Sequence, residues 1–342
     1  MKQSSTSTIS TFVVIPCYKV REHILGVIGG IGPEVDRILV VDDACPQSTG
    51  DFVRQRATDP RVQVLFNPKN LGVGGATIAG FKQALRDGAD VIVKLDGDGQ
   101  MDPRLIPFLI QPIRDGEADY TKGNRFFTPD SLNSMPLARL FGNAALSFVS
   151  KASSGYWDVM DPTNGFTAIQ ATALSLLPLD KIDNGYFFES DMLFRLNTIR
   201  AVIREMPMEA KYGSEKSNLK IYKVLGEFPV KHSVRFLKRI FYNYFLRDFN
   251  VCSIELVAGL VLSIFGLTYG SIHWYRSFTL NIATPTGTVM MAVLPIIIGF
   301  QLLLAAITLD VTNIPRSPLQ RSLRNRVRNQ DAVQPTKSVA NL

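Results

Sequence analysis

The densest set of oxygen ligands in the chain is the run Lys94-Leu95-Asp96-Gly97-Asp98-Gly99-Gln100. An apolar, β-branched stretch leads into two carboxylates separated by one small residue, which sets both acids at the solvent end of a strand. There Asp96 and Asp98 can hold a hard divalent cation, Mg2+ or Mn2+, against an incoming diphosphate, with Gln100 as a third oxygen. A cation held in this way is a Lewis acid for the charge that develops on a departing nucleoside diphosphate. The neighbouring Asp102-Pro103 pair has a plainer use, as helix N-cap and first helical residue.

Such a site needs a frame. Residues 11–16, 37–43, 62–67 and 91–95 are short β-branched runs that read as strands, with helical patterns between them, notably over 72–86. The alternation predicts an α/β domain with a mostly parallel sheet. Ligands of such sheets bind beyond the carboxyl ends of the strands, which here are Pro16-Cys17-Tyr18, Asp42-Asp43 and Asp96-Gly97-Asp98. The glycines from Gly72 to Gly75 lack the third glycine of a dinucleotide fingerprint. They read mainly as close packing, with phosphate contact at a helix N-terminus as the lesser use. Arg125 follows a fifth strand; its planar fork suits a phosphate, with a structural ion pair as the alternative.

Charge is unevenly spread over the 342 residues. Twelve of the 37 Lys and Arg, but only four of the 30 acids, lie from Pro229 onward, so the net charge of +7 resides in the final third. Two long apolar runs lie there too, 251–272 and 288–309, each of bilayer-spanning length. Cations paired with apolar runs point to a lipid membrane with an anionic surface and exclude nucleic acid as the partner. Lys231, Arg235, Lys238, Arg239 and Arg247, mixed with aromatics just before the first run, read as amphipathic helices in the headgroup layer. Cationic flanks on both sides put the termini and the preceding domain in the cytoplasm, at the inner membrane. Three widely spaced cysteines, Cys17, Cys45 and Cys252, form no metal or disulfide pattern, and the Ser/Thr-rich N-terminus has no signal-peptide layout.

Taken in order, several motifs resemble the family 2 inverting glycosyltransferases. They are Val14-Ile15-Pro16-Cys17-Tyr18, Val40-Val41-Asp42-Asp43, Asn70-Leu71-Gly72-Val73-Gly74-Gly75-Ala76, Asp96-Gly97-Asp98-Gly99-Gln100 and Gly123-Asn124-Arg125. The likeness is greatest to the branch that holds dolichyl-phosphate mannose synthase and the bacterial polyprenyl-phosphate sugar transferases, and it covers residues 11–220. It implies a GT-A-type, Rossmann-like catalytic domain over 11–220, preceded by a disordered 1–10. Juxtamembrane helices over 221–250, a two-helix transmembrane hairpin and a flexible basic tail over 310–342 would follow.

The resemblance also assigns residues. Pro16, Tyr18, Asp42 and Asp43 would bind the nucleoside of a nucleotide-sugar donor. Asp96, Asp98 and Gln100 would hold the metal and the donor diphosphate, with Glu189 nearby. Asp161, Glu189 and Asp191 lie where hydroxyl-directed relatives carry a base, although acids at 189 and 191 also suit a helix N-terminus. Arg125 with Lys211, Ser214, Lys216 and Ser217 of a loop would meet the acceptor phosphate. One departure stands out: Ala44-Cys45-Pro46 follows Asp43 where the family usually has Gly-Ser.

A lipid phosphate is largely ionised near neutrality, so it needs cations rather than a base. The expected reaction is single displacement of a UDP- or GDP-sugar by a polyprenyl phosphate, undecaprenyl or dolichyl, with inversion, in the service of cell-envelope glycans. Two alternatives stay open: transfer to a hydroxyl of a lipid-linked saccharide, and a non-catalytic nucleotide-sugar-binding scaffold. Self-assembly through the hairpin is a further expectation.

Overall fold

The structure, a computed structural model, describes residues 9–127, 137–208 and 221–321. Among these, the residues up to Arg235 and those from Pro315 form one compact unit, and Phe236–Ile314 form a second.

The first unit is built on a seven-stranded sheet of order β3-β2-β1-β4-β6-β5-β7. Its strands are β1 (Thr11–Cys17), β2 (Arg37–Asp42), β3 (Val62–Phe66), β4 (Val91–Lys94), β5 (Tyr120–Asn124), β6 (Thr167–Gln170) and β7 (Ile203–Pro207). Only β6 runs against the others, pairing antiparallel with β4 and β5. The mostly parallel α/β class read from the sequence is therefore the observed one.

The central strands β1, β2 and β4 carry continuous apolar runs because helices cover both faces of a parallel sheet. Those helices are α1 (Ile24–Gly29), α2 (Thr49–Arg56), α3 (Gly72–Arg86), α4 (Ile106–Arg114), α5 (Leu137–Ser154), α6 (Ala171–Ser175) and α7 (Phe188–Thr198). Val13, Ile15, Ile38, Val40, Val93, Ile106 and Ile110 form the heart of the core. The glycine cluster that opens α3 is used for packing: a Cβ on Gly74 would collide with the backbone oxygen of Asp183. The Gly75 N–H donates to the carbonyl of Asn184 at 3.1 Å, so α3 lies against the 183–185 turn.

Helix α8 (Ile221–Phe241) follows, then a short π-helical stretch, Tyr242–Arg247. The long helices α9 (Val251–Leu280) and α10 (Thr286–Thr312) are long and apolar enough to cross a membrane. Helix α9 starts with its apolar run, at a capping box supplied by Asn250, and continues past the end of the run to left-handed Asn281. Small residues bring the two together: a Cβ on Gly266 would lie 2.7 Å from the carbonyl of Ala292, and one on Gly299 2.8 Å from that of Gly259.

Two features differ from the sequence expectation. Of the five cations read as facing lipid headgroups, four are bound by protein carboxylates, Arg247 by its chain neighbour Asp248 at 3.4 Å. Lys231 and Arg235 pair with Asp183 and Asp191, at 2.7 and 2.6 Å. Arg239 is buried against Asp310 at 2.6 Å, and the Tyr244 hydroxyl donates to the same carboxylate. A buried guanidinium without a partner would be costly, so each finds an acid. The start of the supposed free tail is also docked. The Leu319 N–H donates to Asp119, and the Gln320 amide donates to the carbonyls of Ile113 and Ala118.

Candidate active site

Strand β4 ends on Lys94, whose side chain is 1% exposed. Its ammonium donates to Asp96 Oδ1 at 2.8 Å, to Glu189 Oε1 at 3.2 Å and to the Gly165 carbonyl at 3.3 Å. Burial alone would lower the pKa of Lys94, but Asp96 and Glu189 outweigh it and hold the pKa above the usual lysine value. The lysine is thus a fixed cation under the Asp-Gly-Asp turn. Sequence reasoning overlooked it, since lysine at a strand end ordinarily reaches water. The legible signal was an uninterrupted apolar strand running straight through the lysine into two acids.

Asp98 is held by its own turn, its Oδ1 accepting the Gln100 N–H at 3.0 Å. Gln100 therefore contributes a backbone donor here, and its side chain is exposed. Asp102 accepts from the Arg104 N–H as the N-cap of a short 3-10 turn, in keeping with its plainer reading. A Cβ on Gly165 would lie 2.6 Å from Asp96 Oδ2 and 2.5 Å from Lys94 Nζ. A side chain there would have to push aside the ends of both Asp96 and Lys94.

These donors suit a hard cation. Asp96 Oδ2 and Asp98 offer carboxylate oxygens at the strand end, and among the described residues no group of three or more His, Cys, Asp or Glu could hold a metal ion by itself. A site that leaves several positions to phosphate oxygens and water is the pattern of Mg2+-type binding.

Beside β4 the sheet turns polar. Register places Lys94 opposite Thr167, Thr167 opposite Lys122, and Lys122 opposite Glu205, in one row across β4, β6, β5 and β7. Lys122 is fully buried and donates to the Asn164 carbonyl. Burial lowers its pKa to about 8, with Asp161 and Glu189 limiting the fall. The two lysines thus hold the carbonyls of successive residues, Asn164 and Gly165, in the turn after Asp161. Neither Lys122 nor Glu205 was a candidate from sequence, because Tyr120–Asn124 and Ile203–Pro207 have no apolar strand pattern.

Several proposed site residues are committed elsewhere. Arg125 grips Asp161 with both ends of its fork, at 2.8 and 2.9 Å, and its N–H donates to the same carboxylate. Asp161 is 0% exposed. Burial pushes its carboxyl up, but Arg125 and Lys122 pull harder and leave it below the usual range. A weakly basic, enclosed carboxylate is a poor proton acceptor. In this structure Asp161 and Arg125 are thus committed to each other, which is the ion-pair alternative given for Arg125.

Asp191 is likewise 0% exposed, accepting from Asp183 N–H, Arg195 and Arg235. It clamps α8 to α7. Asp42 accepts the N–H groups of Cys45 and Gly50, at 2.7 and 2.5 Å. Asp43 accepts from Asn67 and from the N–H groups of Leu71 and Gly72. Both carboxylates thus tie loops together beneath the strand ends, whereas their expected partner was the nucleoside. Pro16 is buried within β1, and Tyr18, 42% exposed, is the group at this edge that is open to a ligand. Lys211, Ser214, Lys216 and Ser217 lie outside the described residues.

The profile of glycosyl transferase family 2 matches residues 12–177. The undecaprenyl-phosphate mannosyltransferase of Micrococcus luteus is 36% identical over 211 residues, covering 59% of this chain and 85% of that protein. The chain belongs to glycosyl transferase family 2. Its relatives place it in the polyprenyl-phosphate branch of that family, and it is a glycosyltransferase. The UDP-N-acetylglucosamine–dolichyl-phosphate N-acetylglucosaminyltransferase of Methanococcus voltae is 30% identical over 66% of this chain and 95% of its own length. Among solved structures, glucosyl-3-phosphoglycerate synthase from Mycobacterium tuberculosis with UDP shares the fold. It has a TM-score of 0.50 at 19% identity, covering 67% of this chain and 79% of that one. The same synthase has been solved with Mn2+, UDP-glucose and glycerol 3-phosphate, again at a TM-score of 0.50.

The departure from the family 2 pattern after Asp43 has a visible consequence. Ala44 adopts φ +50°, a left-handed conformation that favours glycine. The loop keeps a glycine-like backbone while the Cys45 sulfur accepts the Lys19 N–H at 3.1 Å.

Proposed function

We propose that this family 2 enzyme transfers a glycosyl group from a nucleoside-diphosphate sugar to the phosphate of a polyprenyl phosphate. An acceptor phosphate oxygen attacks the anomeric carbon from the face opposite the leaving group. The bond from that carbon to the donor's diphosphate breaks, and configuration inverts. No proton need be removed from an ionised acceptor, which fits a site where Asp161 and Asp191 are both held in ion pairs. A hydroxyl acceptor would need Asp161, Glu189 or Asp191 as its base, and Glu189 too is paired, with Lys94 at 3.2 Å.

Asp96 and Asp98 would hold Mg2+ or Mn2+, which supplies Lewis-acid neutralisation of the leaving diphosphate. Lys94 and Glu189 orient Asp96, the Gln100 N–H orients Asp98, and exposed Tyr18 offers a ring to the donor base. The observation that carries the reading is the Asp96/Asp98 strand end on a unit whose chain leads at both Arg235 and Pro315 into the pair of apolar helices. The names of the M. luteus and M. voltae relatives support a polyprenyl-type acceptor. The solved synthase with Mn2+ and UDP-glucose is consistent with a metal-bound donor in this fold. Cationic flanks support a cytoplasmic catalytic unit with both flanks on one side of the membrane.

The test uses membranes carrying the full chain, short polyprenyl phosphate, Mn2+ or Mg2+, and labelled UDP- and GDP-sugars in turn. One donor is expected to yield an acid-labile glycolipid, and Asp98→Asn to reduce its formation at least ~100-fold. Full activity in Asp98→Asn would refute the metal assignment.

A further inference from the structure

The Asp96/Asp98 strand end contains a cation that neither the motif nor its metal chemistry calls for. Lys94 is enclosed, and all three of its acceptors belong to the site: Asp96 Oδ1, Glu189 Oε1 and the Gly165 carbonyl. Two carboxylates, Asp96 and Glu189, share this lysine, and without it they would stand uncompensated at the strand end that also carries Asp98. Ligand charge count is what sets the affinity of an oxygen site for a divalent cation. Stripped of that counter-charge, the strand end would be more acidic and would retain the bare metal, whether or not nucleotide is bound.

We infer that Lys94 is a positioning residue, an internal counter-ion that binds one oxygen of Asp96 and one of Glu189 and so makes metal binding depend on the donor diphosphate. With those oxygens engaged, the protein offers the metal Asp96 Oδ2 and Asp98. The remaining positions must come from phosphate oxygens and water. The missing Cβ of Gly165 preserves this arrangement, since any side chain there would strike both Lys94 Nζ and Asp96 Oδ2. The inference deepens the proposed function and rests on its metal assignment.

The experiment is a Mn2+ titration of the full chain in detergent, followed by electron paramagnetic resonance, with metal alone and with added UDP or GDP. Wild type is expected to bind Mn2+ weakly by itself and at least ~10-fold more tightly with the matching nucleotide. Lys94→Met is expected to bind Mn2+ alone at least ~10-fold more tightly than wild type, and to gain less from nucleotide. Adding Glu189→Gln to Lys94→Met should return the affinity towards wild type, and Lys94→Arg should stay near it. Damage to the fold weakens metal binding, so tighter binding is a signature that disruption cannot produce. Should Lys94→Met not fold, Glu189→Gln alone serves: with Lys94 left to Asp96, it should weaken binding of bare Mn2+ several-fold. Unchanged or weaker binding in Lys94→Met, or unchanged binding in Glu189→Gln, overturns the counter-ion role while the metal site stands. Failure of wild type to bind Mn2+ even with nucleotide overturns both.

Discussion

Substituting Asp191 by Asn separates a structural carboxylate from a catalytic one. Its two oxygens accept from the Asp183 N–H at 2.9 Å, Arg195 Nε at 3.3 Å and Arg235 Nε at 2.6 Å, and its side chain is 0% exposed. Asparagine keeps the shape but removes the charge and turns an NH2 group toward a donor. Breaking one partner of a buried ion pair costs about 3–5 kcal/mol. Arg195 and Arg235 are 11% and 18% exposed and regain some water, so the lower end applies. For a unit of this size, ~3 kcal/mol corresponds to a fall of roughly 6–12 °C in the unfolding midpoint. Turnover per folded molecule should stay within ~10-fold of wild type, because loss of a general base would cost ~100-fold or more. Thermal unfolding by intrinsic fluorescence, with glycolipid formation normalised to the monodisperse fraction, measures both. An unchanged midpoint with turnover reduced 100-fold would mean that Asp191 is a base and that the clamp is incidental.

Gly165→Ala should destabilise the catalytic unit by ~1–3 kcal/mol through overpacking and raise the donor KM, because its Cβ meets Asp96 and Lys94. Wild-type stability and donor KM together would show that the notch is not needed. His232, enclosed by Phe187, Phe228 and Ser153, should make the fold sensitive to acid. Burial lowers its pKa to about 4 from the ordinary 6.5. The unfolded chain therefore takes up this proton first, and the stability present above pH 6.5 is lost as pH falls towards 4. Unfolding midpoints measured across that range should fall less steeply for His232→Asn than for wild type, and parallel curves would assign the acid limb to other groups.

The parts of the site that were legible in the sequence are those written in local pattern. An apolar strand ending in Asp-Gly-Asp marks a sheet edge with two acids whatever the rest of the chain does, because alternation and strand length are local properties. The same holds for the two apolar helices, whose length and lack of charge are readable residue by residue. Strands β5, β6 and β7 were less legible. Tyr120–Asn124 and Ile203–Pro207 carry Lys122, Asn124, Arg204 and Glu205, and they are strands because β5 pairs with β6 on one side and β7 on the other, with Asn124 donating to Glu205 across the pair.

By itself, the sequence determined the α/β class, the order of the motifs, the Asp96/Asp98 strand end and the presence of the apolar pair of helices. Only the tertiary structure decided which charges are free to act. Arg125 with Asp161, Asp191 with Arg235, and Arg239 with Asp310 are 36, 44 and 71 residues apart and look like independent functional candidates until folding joins them. Lys94 was hidden for the same reason in reverse. A buried charge must find its counter-charge, and that partner is set by proximity in space, to which spacing along the chain is blind.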